Sequence, residues 1–253
     1  MREEHCIGLV TARAGSKGLL RKNVTNLAGK PLIAWTIQAA LRSGRLSRVV
    51  LSTEDCSIAD TGARYGAEVP FLRPKELASD EAGHMEVVLH LLKWLSKNMG
   101  LCPTYVMLLQ PTSPLRKTSD INEAVEIASS RRADSVVSVC ETHCHPYLIK
   151  SLRKDGTLAS FMENAPDSGS RSIRRQDLPP AYFVNGAIYL TKTEVLLNKK
   201  TFFPERTYPY VMPAARSYQI DSQWDRDLVE MIMLNERECK QTQAEQITDR
   251  SEG

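Results

Sequence analysis

The chain has no acidic residue between Glu4 and Glu54. Eight cations fall in that gap, Arg13, Lys17, Arg21, Lys22, Lys30, Arg42, Arg45 and Arg48. With +8 there and +3 over all 253 residues, the remainder carries −5. A cationic segment on an otherwise acidic chain points to a local anion site, not to a general affinity for nucleic acid. Other absences exclude whole classes. No run reaches the roughly 18 consecutive apolar residues of a membrane span, and the opening MREEHC lacks the layout of a secretory leader. The expectation is a cytoplasmic chain with neither a membrane nor a nucleic acid as partner. Six scattered cysteines, at 6, 56, 102, 140, 144 and 239, make no disulfide framework and read as reduced thiols. The composition fits neither disorder, collagen nor coiled coil.

What is present alternates. Apolar runs of strand length at residues 6–11 (CIGLVT), 49–52, 105–110 (YVMLLQ), 135–140, 187–191 and 210–212 are separated by segments of helical period at 31–43, 55–65, 81–97, 120–130 and 224–236. That pattern predicts a doubly wound, mostly parallel α/β sheet covered by helices. Pro31 suits a helix start. Asp120 with Glu123 three residues on reads as an N-cap with its box partner. The alternation fails over about 141–184, where charged and turn-forming residues take over, and a stretch of that kind inside a compact domain is functional or interfacial. One catalytic domain over 1–236 and a polar tail over 237–253 are expected.

The first strand runs into Ala12-Arg13-Ala14-Gly15-Ser16-Lys17-Gly18-Leu19-Leu20-Arg21-Lys22-Asn23. This is neither the dinucleotide fingerprint G-x-G-x-x-G nor the Walker loop G-x-x-x-x-G-K-[ST]. Gly15 and Gly18 still let backbone amides turn toward an anion, Ser16 adds a hydroxyl, and four cations surround them without one acid. A triphosphate matches such a loop. The cluster Cys140, His143, Cys144 and His145 is metal-like in composition, yet four ligands within six residues cannot easily surround a tetrahedral ion.

Taken together, ARAGSKGLLRKN, Gly29-Lys30-Pro31-Leu32-Ile33, Leu51-Ser52-Thr53, Phe71-Leu72-Arg73-Pro74 with Glu76-Leu77-Ala78-Ser79-Asp80, Leu109-Gln110-Pro111-Thr112-Ser113-Pro114-Leu115-Arg116 and Asn185-Gly186-Ala187-Ile188-Tyr189 resemble the acylneuraminate cytidylyltransferases, in the same order over about residues 5–235. The resemblance implies a Rossmann-like nucleotidyltransferase domain whose irregular stretch at 141–184 is a dimerisation extension, and hence a homodimer. It implies transfer of CMP from CTP to the anomeric C2 hydroxyl of a nine-carbon 2-keto sugar acid, with pyrophosphate leaving and Mg²⁺ as cofactor.

Position by position, the resemblance implies that Arg13 and Lys22 hold the triphosphate, with Gly15, Ser16 and Lys17 in the same loop, and that Asn23 and Arg73 contact the nucleotide. Gln110 matches a sugar-contacting glutamine, whose amide offers both donor and acceptor. Arg175, with Arg174 in reserve, matches a basic segment at the sugar site. Tyr189, Phe202 and Phe203 match the apolar wall around the acyl sugar. In Ser217-Tyr218-Gln219-Ile220-Asp221 many relatives carry two aspartates, two residues apart; here the first is Gln219, which leaves Asp221 as the metal ligand and removes one negative charge. Asp225 reads as a helix N-terminal charge. Leu20 stands where a proline is usual. Three readings stay open: this cytidylyltransferase, a nucleotidyltransferase for another keto-deoxy sugar or a sugar phosphate, and a nucleotide-binding paralogue without turnover.

Overall fold

The computed structural model describes residues 5–15, 18–162 and 174–251, with the backbone alone at 175 and 240–251. The core is a six-stranded sheet built from β1 (Cys6–Thr11), β4 (Arg48–Ser52), β5 (Tyr105–Leu109), β6 (Ser135–Glu141), β9 (Tyr182–Lys192) and β10 (Thr207–Val211). Two short ladders complete the strands, β2 (Asn26–Leu27) with β3 (Lys30–Pro31), and β7 (Lys150–Leu152) with β8 (Leu158–Ser160). The sheet order is β10-β6-β9-β5-β1-β4. All neighbours run parallel except β9, which is antiparallel to both β5 and β6.

The strands are apolar throughout because both faces are covered. Every residue of β1 and β5 is buried. Side chains alternate, so Val10, Leu51, Met107 and Leu109 face α1 (Leu32–Leu41), α2 (Cys56–Arg64) and α4 (Thr118–Arg131), whose Ile33, Ile37, Ile58, Ile121 and Ala124 complete that layer. Ile7, Leu9, Val106 and Leu108 face the other side, against Val88, Leu91 and Leu95 of α3 (His84–Met99) and Leu196 of α5 (Thr193–Lys199). A third cluster, Leu27, Leu32, Leu115, Ile220, Val229 and Met233, seats the start of α6 (Gln223–Ser251) beside the β2–β3 ladder. Leu and Ile buried in this way contribute roughly 1.5–3 kcal/mol each over an exposed state.

Four expectations need correction. Pro31 is the N-cap of α1, not its first residue. The cap of α4 is Lys117, while Asp120 is the third helical residue and turns its carboxylate back onto the Lys117 amide at 2.6 Å. Asp120 is fully buried because it also receives the Tyr210 hydroxyl (2.6 Å) and the Arg216 guanidinium, a tertiary triad that no local pattern announces. Strand β9 begins at Tyr182 instead of 187, since its first three residues pair with β6 while their side chains stay exposed. The expected polar tail from residue 237 continues α6 as helix to Ser251.

Candidate active site

Strand β1 lies between β4, reached through α1, and β5, reached through α3. The chain winds away on both sides of β1, so a crevice opens at the carboxyl ends of β1 and β5, where open α/β sheets bind ligands. A cleft of about 330 Å³ occupies that place. Arg13, Gly15, Lys22, Asn23, Arg73, Gln110 and Asp221 all line it, together with Thr11, Asp80, His84 and Gln219.

One rim is the loop after β1. Buried Asn23 ties it shut by donating Nδ2 to the Arg13 carbonyl at 2.9 Å. Gly18 lets it approach the Asp221 segment, because a Cβ there would fall 2.0 Å from the Asp221 carbonyl oxygen. Arg13 reaches across the cleft to Asp80 (2.7 Å) and to the Ser79 carbonyl (2.9 Å). Lys22 Nζ donates to the Ile220 carbonyl and to Asp221, both at 3.0 Å. Arg73 is different in kind. It is 5% exposed and its Nη2 pairs with Glu54 Oε2 at 2.7 Å. The other Glu54 oxygen accepts the Ala14 amide at 2.7 Å, so one carboxylate braces both the arginine and the loop.

The opposite rim starts at Gln110, at the end of β5. Its Nε2 lies 2.9 Å from His84 Nε2, on the first residue of α3. Its backbone carbonyl, with that of Ala187, accepts from Arg116, which is 3% exposed and also donates to Thr36. Burial without a hydrogen-bonded carboxylate lowers the Arg116 pKa to about 10. Gly186, at φ +70, has a steric reason on this rim: a Cβ there would collide with Gln219 Nε2 (2.0 Å) and Gln110 Oε1 (2.6 Å). Gln219 donates that Nε2 to the Asn185 carbonyl. Asn185 is itself buried and held by Ser138 (2.6 Å) and Ser217 (2.9 Å).

The remaining sequence candidates lie elsewhere. Tyr189 and Phe202, ring centroids 5.4 Å apart, pack against the α3 side of the sheet, and exposed Phe203 stands edge-on to Tyr189 at 6.3 Å; none of the three lines the cleft. Burial raises the Tyr189 phenol above its usual pKa. Arg174 is exposed, outside the cleft lining, just before a 3-10 turn over Arg175–Asp177. The side chain of Arg175, and Ser16 and Lys17 altogether, lie outside the described residues. Asp225 accepts from Ser222 and from the Asp221 amide, capping α6; the Ser222 hydroxyl is the main reason its pKa falls. Leu20 is 82% exposed in the turn before Arg21.

Sequence reasoning passed over Glu54, Asp80, His84 and Arg116. A signal existed for Glu54: it is the first acid after the cationic stretch and follows β4 directly. His84 had none, because only the winding of α3 back to the sheet brings it to Gln110.

A glycine-containing loop at the switch point of an α/β sheet, with Arg13 and Lys22 on one rim of the cleft and the amides of Gln110 and Gln219 on the other, is the arrangement of a nucleotide-dependent transferase class of site. A family model described as cytidylyltransferase matches residues 7–248. The chain belongs to that family, on the acylneuraminate side of it. It is 38% identical over 228 residues to a CMP-N,N'-diacetyllegionaminic acid synthase of Legionella pneumophila, covering 90% of this chain and 95% of that protein. It is 37% identical over 221 residues to an N-acylneuraminate cytidylyltransferase of Streptococcus agalactiae, covering 87% of this chain and 51% of the relative, so the chain spans about half that protein's length. A solved CMP:2-keto-3-deoxy-manno-octonic acid synthetase complexed with CTP shares the fold, with a TM-score of 0.67 at 16% identity over 92% of this chain and 99% of that one.

Proposed function

We propose that the chain transfers CMP from CTP to the anomeric C2 hydroxyl of a nine-carbon 2-keto sugar acid and releases pyrophosphate. The observation that carries this reading is the meeting, in one cleft, of Arg13, Lys22, Asn23 and Arg73 from the nucleotide rim with Gln110 and Gln219 from the other, and Asp221 between them. The C2 oxygen forms a bond to the α-phosphorus, the bond from that phosphorus to the bridging oxygen breaks, the pair leaves with pyrophosphate, and the hydroxyl proton passes to solvent water. Arg13 and Lys22 stabilise the charge on the phosphates. Their partners are exposed, with the Asp80 and Asp221 side chains 50% and 70% accessible, so a triphosphate can replace these contacts at little cost. Braced by Glu54, Arg73 holds the loop's shape, which is positioning in advance of the reaction.

Magnesium fits this donor set. Mg²⁺ keeps several waters and is held by one or two carboxylates plus substrate phosphates. Asp221 offers one exposed carboxylate on the cleft. Gln219 has turned its amide nitrogen to Asn185, so a single-carboxylate site is the arrangement to expect. When bound, the ion would withdraw charge from the phosphates.

A homodimer is part of the same reading. Exposed apolar side chains gather on the 141–184 extension and the start of β9: Leu148, Leu152 (74% exposed), Leu158, Phe161 (65%), Tyr182 and Phe183. A patch of that kind on a soluble domain marks an interface. Arg174, Arg175, Tyr189, Phe202 and Phe203 remain proposed sugar contacts.

The test is pyrophosphate release with CTP, Mg²⁺ and a panel of N-acetylneuraminic, legionaminic and pseudaminic acids. Turnover with one of them and preference for CTP over UTP and ATP is the expected result. Turnover with a sugar phosphate and UTP would overturn it. Tight CTP binding by calorimetry with no product at any Mg²⁺ concentration would favour a paralogue without turnover, the reading that Gln219 motivates.

A further inference from the structure

His84 belongs to no motif, yet it sits where three segments meet. Its Nε2 is 2.9 Å from Gln110 Nε2 at the end of β5, and its Nδ1 is 3.5 Å from Thr11 Oγ1 at the end of β1. An amide nitrogen only donates, so the imidazole nitrogen facing it must be the acceptor. That requires a neutral ring whose one proton is on Nδ1, directed at Thr11. With Nε2 committed to His84, Oε1 is turned toward Gly186, where the missing Cβ leaves room, beside Gln219.

We propose that His84 is a positioning residue for sugar recognition: by accepting from the Gln110 amide it presents Gln110 Oε1 to the cleft as an acceptor reserved for a substrate hydroxyl. This rests on the functional reading above and assigns a residue to it. The surroundings keep the ring neutral. Burial lowers its pKa below the ordinary 6.5, and the guanidinium groups of Arg73 and Arg13 lower it further. The start of α3 adds a positive helix end. The nearby carboxylates are engaged elsewhere: Asp80 with Arg13, Glu54 with Arg73 and the Ala14 amide. Glu86, in the same helical turn, has its carboxylate beside Gly83. Protonation would set two donors against each other, and the amide would have to reverse, turning its nitrogen to the sugar side.

The contact can be read without turnover. Nitrogen-15 spectra of the imidazole should show the Nδ1-protonated tautomer near pH 7. Gln110→Glu, which substitutes an acceptor for the donor, should raise the His84 pKa; an Nε2-protonated ring, or a pKa indifferent to Gln110→Glu, overturns the proposal whether or not any sugar is a substrate. In turnover, KM for the sugar acid should rise as pH falls below the ordinary imidazole value of about 6.5, by about tenfold once the ring is protonated, while KM for CTP stays flat, the worth of one hydrogen bond. His84→Gln keeps an acceptor at that place and should remove the pH dependence, whereas His84→Leu should raise the sugar KM about tenfold at every pH. Equal losses in the CTP and sugar KM for His84→Leu would mark a merely structural residue. If no sugar acid turns over, the functional reading fails, and the spectra still decide the contact.

Discussion

Two arginines on the nucleotide rim carry the same charge in opposite circumstances. Arg73 is buried behind the loop, and its Glu54 partner is buried with it, the side chains 4% and 13% exposed. Arg13 stands in front, 35% exposed, against an Asp80 that is half in water. A buried ion pair cannot be exchanged, because either partner left alone is an uncompensated charge in low dielectric. An exposed pair costs little to break. We therefore propose the first as scaffold and the second as a placeholder for substrate, although sequence alone grouped both as phosphate or nucleotide contacts.

Breaking the scaffold should have the largest effect. Glu54→Gln leaves Arg73 without its counter-charge and should cost about 3–5 kcal/mol in urea denaturation; a loss under about 1 kcal/mol would erase the distinction between the two arginines. Next come the placeholders. Arg13→Ala and Asp221→Asn should each lower kcat/KM by about 10²–10³-fold while the melting temperature hardly moves. A parallel fall in stability would make them scaffold after all. Gln219→Asp restores a charge beside Asp221 and should lower the Mg²⁺ concentration for half-maximal activity by about tenfold, the order of one pairwise charge interaction in such a setting. No change in the metal titration would mean that the amide, held by Asn185, has no bearing on the ion.

The smallest effect is on pH. The pKa of His84 and that of His90 are lowered in the fold, each first by burial and then by Arg73. The unfolded chain therefore binds more protons than the native one below the ordinary imidazole pKa of about 6.5. Stability should be complete above that value and decline as pH falls beneath it. Melting curves of His90→Gln should decline less on acidification than the parent; an identical decline assigns the effect to other groups.

The sheet was readable because its strands are buried on both faces and so are apolar from end to end, as in CIGLVT and YVMLLQ. That the loop after β1 borders the cleft was readable because glycines and cations without acids have few other uses after a strand. Boundaries failed where tertiary contacts overrule local pattern. Asp120 looks like a cap until Tyr210 and Arg216, some ninety residues on, draw it inside. Residues 182–184 read as part of the irregular stretch because of the charged and turn-forming residues before them, yet their backbone completes a ladder with β6. In the cleft, Arg13, Lys22 and Gln110 were visible through their place in motifs. His84 meets Gln110 and Thr11 only through the winding of the chain, and no spacing rule records such a meeting.

The antiparallel β9 has one more consequence, for the order of assembly. Strands β5 and β6 follow each other in the chain, yet they leave a strand-wide slot between them that only residues 182–192 fill. Until that late segment arrives, both strands present unpaired edges, the kind of template that recruits the wrong partner. The cleft matures late for the same reason, since Asn185 and Gly186 ride in on β9, and Gln110 gains its Gly186 neighbour only when the slot is closed. Nascent chains that stop short of residue 211, where β10 pairs with the other edge of β6, should therefore be the sticky species in synthesis, and the completed sheet the first that is safe from its neighbours.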